Sequence, residues 1–123
     1  MKNMKELIEL IIENLDDSLL KPKYRKMPLR NKYTGHCYVA TETLYHLLDD
    51  DEKEIYCPSV LKINNDTHWF LKNKLDGTII DITKNQYDFD INYNESRYSA
   101  FLTKAPSKRS QTLIHRIYEE SGL

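Results

Sequence analysis

Met4, Leu7, Ile8, Ile11, Ile12 and Leu15 recur at helical spacing, which predicts an amphipathic helix over residues 3–19 with Glu6, Glu9, Glu13, Asp16 and Asp17 mostly on its wet face. The stretch "KPKYRKMPLRNKY" breaks the period with two prolines and six Lys or Arg residues and reads as a basic loop. Cys37, Ala40, Leu44, Leu47 and Leu48 share one helical face, so a second helix is expected from Cys37 to Leu48, ending in the charged turn "DDDEKE". After Pro58 the period changes. "SVLKI", "HWFLK" and "GTIIDIT" are short, rich in β-branched and aromatic residues and separated by Asn, Asp and Gly, the pattern of three antiparallel strands. Residues 84–103 carry no period and many tyrosines, and read as an irregular segment over the sheet or a cleft. A last helix is expected near Ser107, after Pro106, with Leu113, Ile114, Ile117 and Tyr118 as its buried stripe.

These elements define an α+β class: an N-terminal helix, a central helix bearing Cys37 packed on a small antiparallel sheet, and a C-terminal helix. At 123 residues and 40% hydrophobic content the chain suits one domain, residues 1–123, with one core. The formal net charge of -1 excludes global charge as a guide to partners, so local charge has to supply it. Acids interrupt the apolar positions of "MKNMKELIELIIENL", unlike a secretory signal, and no apolar run approaches the roughly 20 residues of a membrane span. A cytoplasmic location without membrane contact is expected, and with it two reduced cysteines, Cys37 and Cys57.

Cys37 follows Gly35 and His36 at the front of the second helix. Helix N-termini concentrate unsatisfied N–H groups and about half a positive charge, and both favour a thiolate. A nucleophilic thiol also needs a base and a third group to orient that base. His68 opens "HWFLK" and Asp81 lies in "GTIIDIT" on the next strand, so the register of the hairpin between them decides whether they meet. A loop over Lys74 to Gly77 pairs Asn73 with Thr78 and makes Asp81 the diagonal neighbour of His68. A two-residue Asp-Gly turn slides Asp81 opposite Lys72, out of reach.

"GHCYVATETLYHLL", "THWFLKN" and "DGTIIDIT" together resemble the transglutaminase-like, papain-related superfamily: a cysteine at a helix start, a histidine on one strand and an aspartate on the next. The resemblance covers residues 35–83 and implies that fold core, with Cys37 as nucleophile, His68 as base and Asp81 as orienting acid. The whole chain also resembles small bacteriophage-encoded proteins, which implies the host cytoplasm.

His36, Asn31 and Gln86 are candidates for the second oxyanion donor beside the Cys37 N–H. Trp69 is expected in the core from the opposite sheet face, or lining a substrate channel. Cys37, Cys57, His68 and His36 have the types of zinc ligands but no Cys-x-x-Cys or His-x-x-x-His spacing, so neither metal nor cofactor is expected. The basic loop, including Arg30 and Lys32, leads into Cys37, and Lys104, Lys108 and Arg109 gather where the last helix begins. Cations there oppose the helix dipole, which makes sense if an anion visits. Tyr24, Tyr33, Tyr87, Tyr93 and Tyr98 could stack a ring beside these cations. No nucleotide-binding motif is present, and sequence-specific nucleic-acid binding is not expected.

The function expected from these features is acyl transfer, or amide or ester hydrolysis, through a Cys37 thioester on a small-molecule or protein substrate, anionic in view of the basic groups. The rival is a binding module of phage counter-defence type that sequesters an anionic or nucleotide small molecule, or inhibits a protein partner, without turnover.

Overall fold

A computed structural model of the chain describes residues 3–20 and 35–121. The basic loop, with Arg30, Asn31, Lys32, Tyr24 and Tyr33, lies outside the described residues. Among the described residues four helices, α1 (Met4–Glu13), α2 (Cys37–Leu47), α3 (Asp50–Ile55) and α4 (Lys108–Ser121), accompany strands β1 (Tyr56–Ile63), β2 (Asp66–Asn73), β3 (Ile79–Ile80) and β4 (Arg97–Tyr98). The strands form one antiparallel sheet in the order β3-β2-β1-β4. The class is α+β.

Local polar groups move several boundaries from their expected places. α1 stops at Glu13, not near residue 19. The Asn14 and Leu15 N–H groups tighten onto Ile11 O and Ile12 O, and Asp16 accepts from the Ser18 backbone, which turns the chain into a short 3-10 segment. Arg116 of α4 clamps this corner through Asp16 and the Ser18 hydroxyl. The charged stretch after α2 is helix α3 rather than a turn, because Asp49 and Glu52 form a reciprocal capping box. A fourth strand pairs Ser59 with Tyr98, inside the stretch expected to be irregular. In α4, Leu113 and Ile117 are buried as expected, whereas Tyr118 is exposed.

α2 departs from the one-sided helix its periodicity suggests. From Cys37 to Leu44 only Tyr38 escapes full burial, so α2 is a central helix, and its polar residues need internal partners. Thr43 bonds Ser110 at 2.8 Å, and the Glu42 carboxylate accepts from the Ser107 N–H (3.0 Å) and hydroxyl (2.6 Å) at the start of α4.

The seating of α2 on the sheet positions the site. β3 pairs with β2 only at Leu71 and Lys72. The Asn73 N–H donates to Thr78 O (2.8 Å), so alternate residues Leu71, Trp69 and Thr67 also turn their backbone groups to that side, where Trp69 and Thr67 lie beyond the end of β3. Thr41 donates to Trp69 O at 3.1 Å, and the Cys37 thiol to Thr67 O at 3.7 Å. Four helical residues rise about 6 Å and two strand residues about 6.7 Å, so this pair of contacts fixes the helix in register with the open strand edge. Thr41→Val should therefore cost about 1–2 kcal/mol by orphaning a buried carbonyl, while Thr41→Ser recovers most of it. Urea midpoints that are equal for Thr41→Val and the parent would show that the contact holds nothing.

Among the described residues no helix is long and apolar enough to cross a membrane.

Candidate active site

Gly35 begins the site, with φ at 81°, a conformation costly for any side chain, which turns the chain into α2. His36 follows as the N-cap, buried, its carbonyl accepting from the Ala40 N–H while its side chain makes no capping bond. Cys37 is the first helical residue, so its own N–H has no acceptor within the helix. The residue is 9% exposed and packs with Val60 and Trp69, flanked by Tyr38 and Phe101. Cys57, on β1, is half-buried, and both cysteines are free thiols.

The hairpin adopts the register with the four-residue loop. Asn73 supplies the reason: its side-chain oxygen accepts from the Leu75 and Asp76 N–H groups, and Asp76 in turn accepts from the Thr78 N–H. These bonds hold the loop open against a tight Asp-Gly turn, with Gly77 at a φ of 78°. Asp81 leaves the end of β3 beside His68, and His68 Nε2 lies 2.6 Å from Asp81 Oδ2. The side chains are 0% and 2% exposed, so the pair is withdrawn from water.

Burial disfavours a charge on His68, but the Asp81 hydrogen bond and the nearby Cys37 outweigh it and raise its pKa to about 9. Nδ1, the other ring nitrogen, is buried and forms no hydrogen bond among the described residues. Cys37 thus influences His68 electrostatically while its thiol rests on Thr67 O.

Tyr93 also belongs here, a role its sequence context did not suggest. Its hydroxyl donates to Asp81 Oδ2 at 2.7 Å. Tyr87 packs edge-on against the His68 ring, centroids 5.1 Å apart, so the 84–95 segment covers the imidazole with one tyrosine and holds its carboxylate partner with another.

No protein-family model, curated protein or solved structure matches the chain.

Trp69 lies on the opposite face of β2 from His68, stacked on Phe101 with centroids 5.7 Å apart and packed beside Cys37. Gln86 is half-buried in the 3-10 turn Lys84–Gln86, its amide oxygen without a partner among the described residues. Asn31 lies outside the described residues.

The basic residues at α4 are engaged differently from the expectation. The anion at that helix N-terminus is the chain's own Glu42, and Arg109 donates to Leu19 O at 3.0 Å. Lys104 and Lys108 are exposed. A cleft of about 700 Å³ opens beside Asp81, lined by Tyr87, Asp88, Asp90, Tyr93 and one cation, Lys84, among others. Its described lining includes none of Lys104, Lys108 and Arg109, and its acids disfavour an anion. Among the described residues no three His, Cys, Asp or Glu side chains gather as metal ligands.

Proposed function

We propose that the protein is a cysteine-dependent acyl transferase or amide or ester hydrolase of transglutaminase-like type, with Cys37 as nucleophile. The observation that carries this reading is the buried 2.6 Å His68–Asp81 pair set beside a thiol at a helix N-terminus. An acid and a histidine cost several kcal/mol to withdraw from water, and the pairing offsets that cost while leaving one imidazole nitrogen free for a reacting group.

The reacting form is a Cys37 thiolate beside a His68 imidazolium. Sulfur attacks the acyl carbonyl carbon and forms a C–S bond. The oxyanion meets the Cys37 N–H and the positive end of α2. As the tetrahedral species collapses, the bond to the leaving group breaks and that group takes the proton from His68. His68, now neutral, accepts a proton from water or from an incoming amine or alcohol, which attacks the thioester and frees the sulfur. Asp81 holds the imidazole tautomer throughout.

Iodoacetamide labelling followed by peptide mass analysis tests the reading without a known substrate. Cys37 should label at least tenfold faster than Cys57 at pH 7, despite being the more buried of the two, and His68→Ala should remove most of the difference. Equal labelling rates in the folded protein would overturn the reading. Intact-mass analysis after incubation with a cell lysate should then reveal an acyl adduct on Cys37.

A further inference from the structure

We propose that Tyr93 is a positioning residue of this site, fixing the Asp81 carboxylate so that its Oδ2 stays aligned on His68. The proposal rests on the acyl-transfer reading and extends it to a residue outside the Cys, His and Asp pattern.

Both donors meet the same oxygen. His68 Nε2 lies 2.6 Å and the Tyr93 hydroxyl 2.7 Å from Oδ2, while Oδ1 is buried with no hydrogen-bond partner among the described residues. A carboxylate held at one oxygen by one donor can pivot about its Cβ–Cγ bond. A second donor from another direction stops that pivot. Tyr93 is itself firmly placed. It opens a 3-10 turn capped by Asn92, whose side chain accepts from the Asn94 N–H, and its ring packs edge-on against fully buried Phe70 with centroids 4.9 Å apart. Phe70 and His68 are two apart on β2 and share a face, so one strand sets both donors that converge on Asp81. Burial, and then the adjacent Asp81 charge, push the Tyr93 hydroxyl well above the usual tyrosine range. Tyr93 therefore keeps its proton at neutral pH and acts as a donor, not as an acid or base.

A direction follows for His68. The groups facing it are Cys37 from α2, Asp81 from the end of β3, Tyr87 from the 84–95 segment and Phe70 from its own strand, with Tyr93 acting through Asp81. Donation from Tyr93 holds Oδ2 on the line of the imidazole N–H. Tyr93→Phe frees the carboxylate to pivot, so it should lower the His68 pKa by roughly 0.3–1 unit, followed by the His68 Cε1–H resonance, and slow Cys37 alkylation at pH 7 about threefold or more as the imidazolium loses its partner. A purely structural tyrosine would change the melting temperature and leave the His68 titration in place, and that result would overturn the proposal. If Tyr93→Phe does not fold, the reciprocal measurement decides: in Asp81→Asn, Tyr93 should ionise at a lower pH than in the parent, followed by phenolate absorbance, and an unchanged titration would overturn the proposal. The two readings fail separately. Selective Cys37 reactivity with an unmoved His68 removes Tyr93 alone, whereas a shifted His68 beside an inert Cys37 removes the catalytic reading and keeps the coupling.

Discussion

Asp81→Asn should lower acylation of Cys37 by p-nitrophenyl acetate roughly 10²–10⁴-fold at pH 7, with the folded state retained. Each tenfold is about 1.4 kcal/mol of transition-state stabilisation, so the expected loss is about 3–5 kcal/mol. Two effects combine. The amide removes the charge that holds the imidazolium, so burial pushes the His68 pKa down against Cys37 alone. It also offers an N–H where the carboxylate offered only acceptors, so the ring can settle in the wrong tautomer or turn away. The Asp81 backbone lies just past β3 and its side chain is 2% exposed, so nothing from solvent replaces it. Nitrophenolate release within threefold of the parent, with intact mass confirming acylation at Cys37, would reduce Asp81 to a structural partner of Tyr93.

The elements that carry Cys37, His68 and Asp81 were legible because strong periods mark them. α2 begins where Gly35 breaks the chain, and β2 alternates faces so that His68 and Trp69 part company as expected. The register was legible only as two alternatives. Asn73 decided between them through side-chain to backbone bonds that no hydrophobic pattern encodes. Tyr93 was expected to stack beside cations, and its bond to Asp81 escaped notice for a related reason: residues 84–95 have no period, and their placement depends on Phe70, distant in sequence. Glu42 was hidden differently. It lies off the apolar face of α2, where a carboxylate normally meets water, and only the arrival of Ser107 at the start of α4 makes its burial tolerable. That same contact undid the expectation of an external anion at α4, since opposed cations and a helix dipole look alike whether the compensating anion is a ligand or a glutamate elsewhere in the chain.

Stability should fall as pH rises from about 6.5 to 9. His68 has a folded pKa of about 9 against an ordinary value of 6.5, so across this window the folded state binds a proton that the unfolded chain has released. The contribution is fully present below pH 6.5 and lost as pH passes through 9, for a total on the order of 3 kcal/mol. Urea unfolding at half-unit pH steps measures it, and His68→Gln should flatten this part of the profile. Cys37→Ala sharpens the result. The Cys37 sulfur lies 3.7 Å from Thr67 O; if it rests there as a neutral thiol, folding takes up one proton and the parent should lose stability across this window, while Cys37→Ala should slope less steeply because it lacks the Cys37 contribution to the His68 pKa. If the resting site were instead a thiolate–imidazolium pair, the proton gained by His68 would be one given up by Cys37. Folding would then take up no net proton, and the parent would stay flat while Cys37→Ala sloped downward. That outcome would overturn the neutral-thiol resting state and place the reacting form of the site already in the free protein. A flat profile in both proteins would remove the raised His68 altogether, and with it the electrostatic basis for activating Cys37.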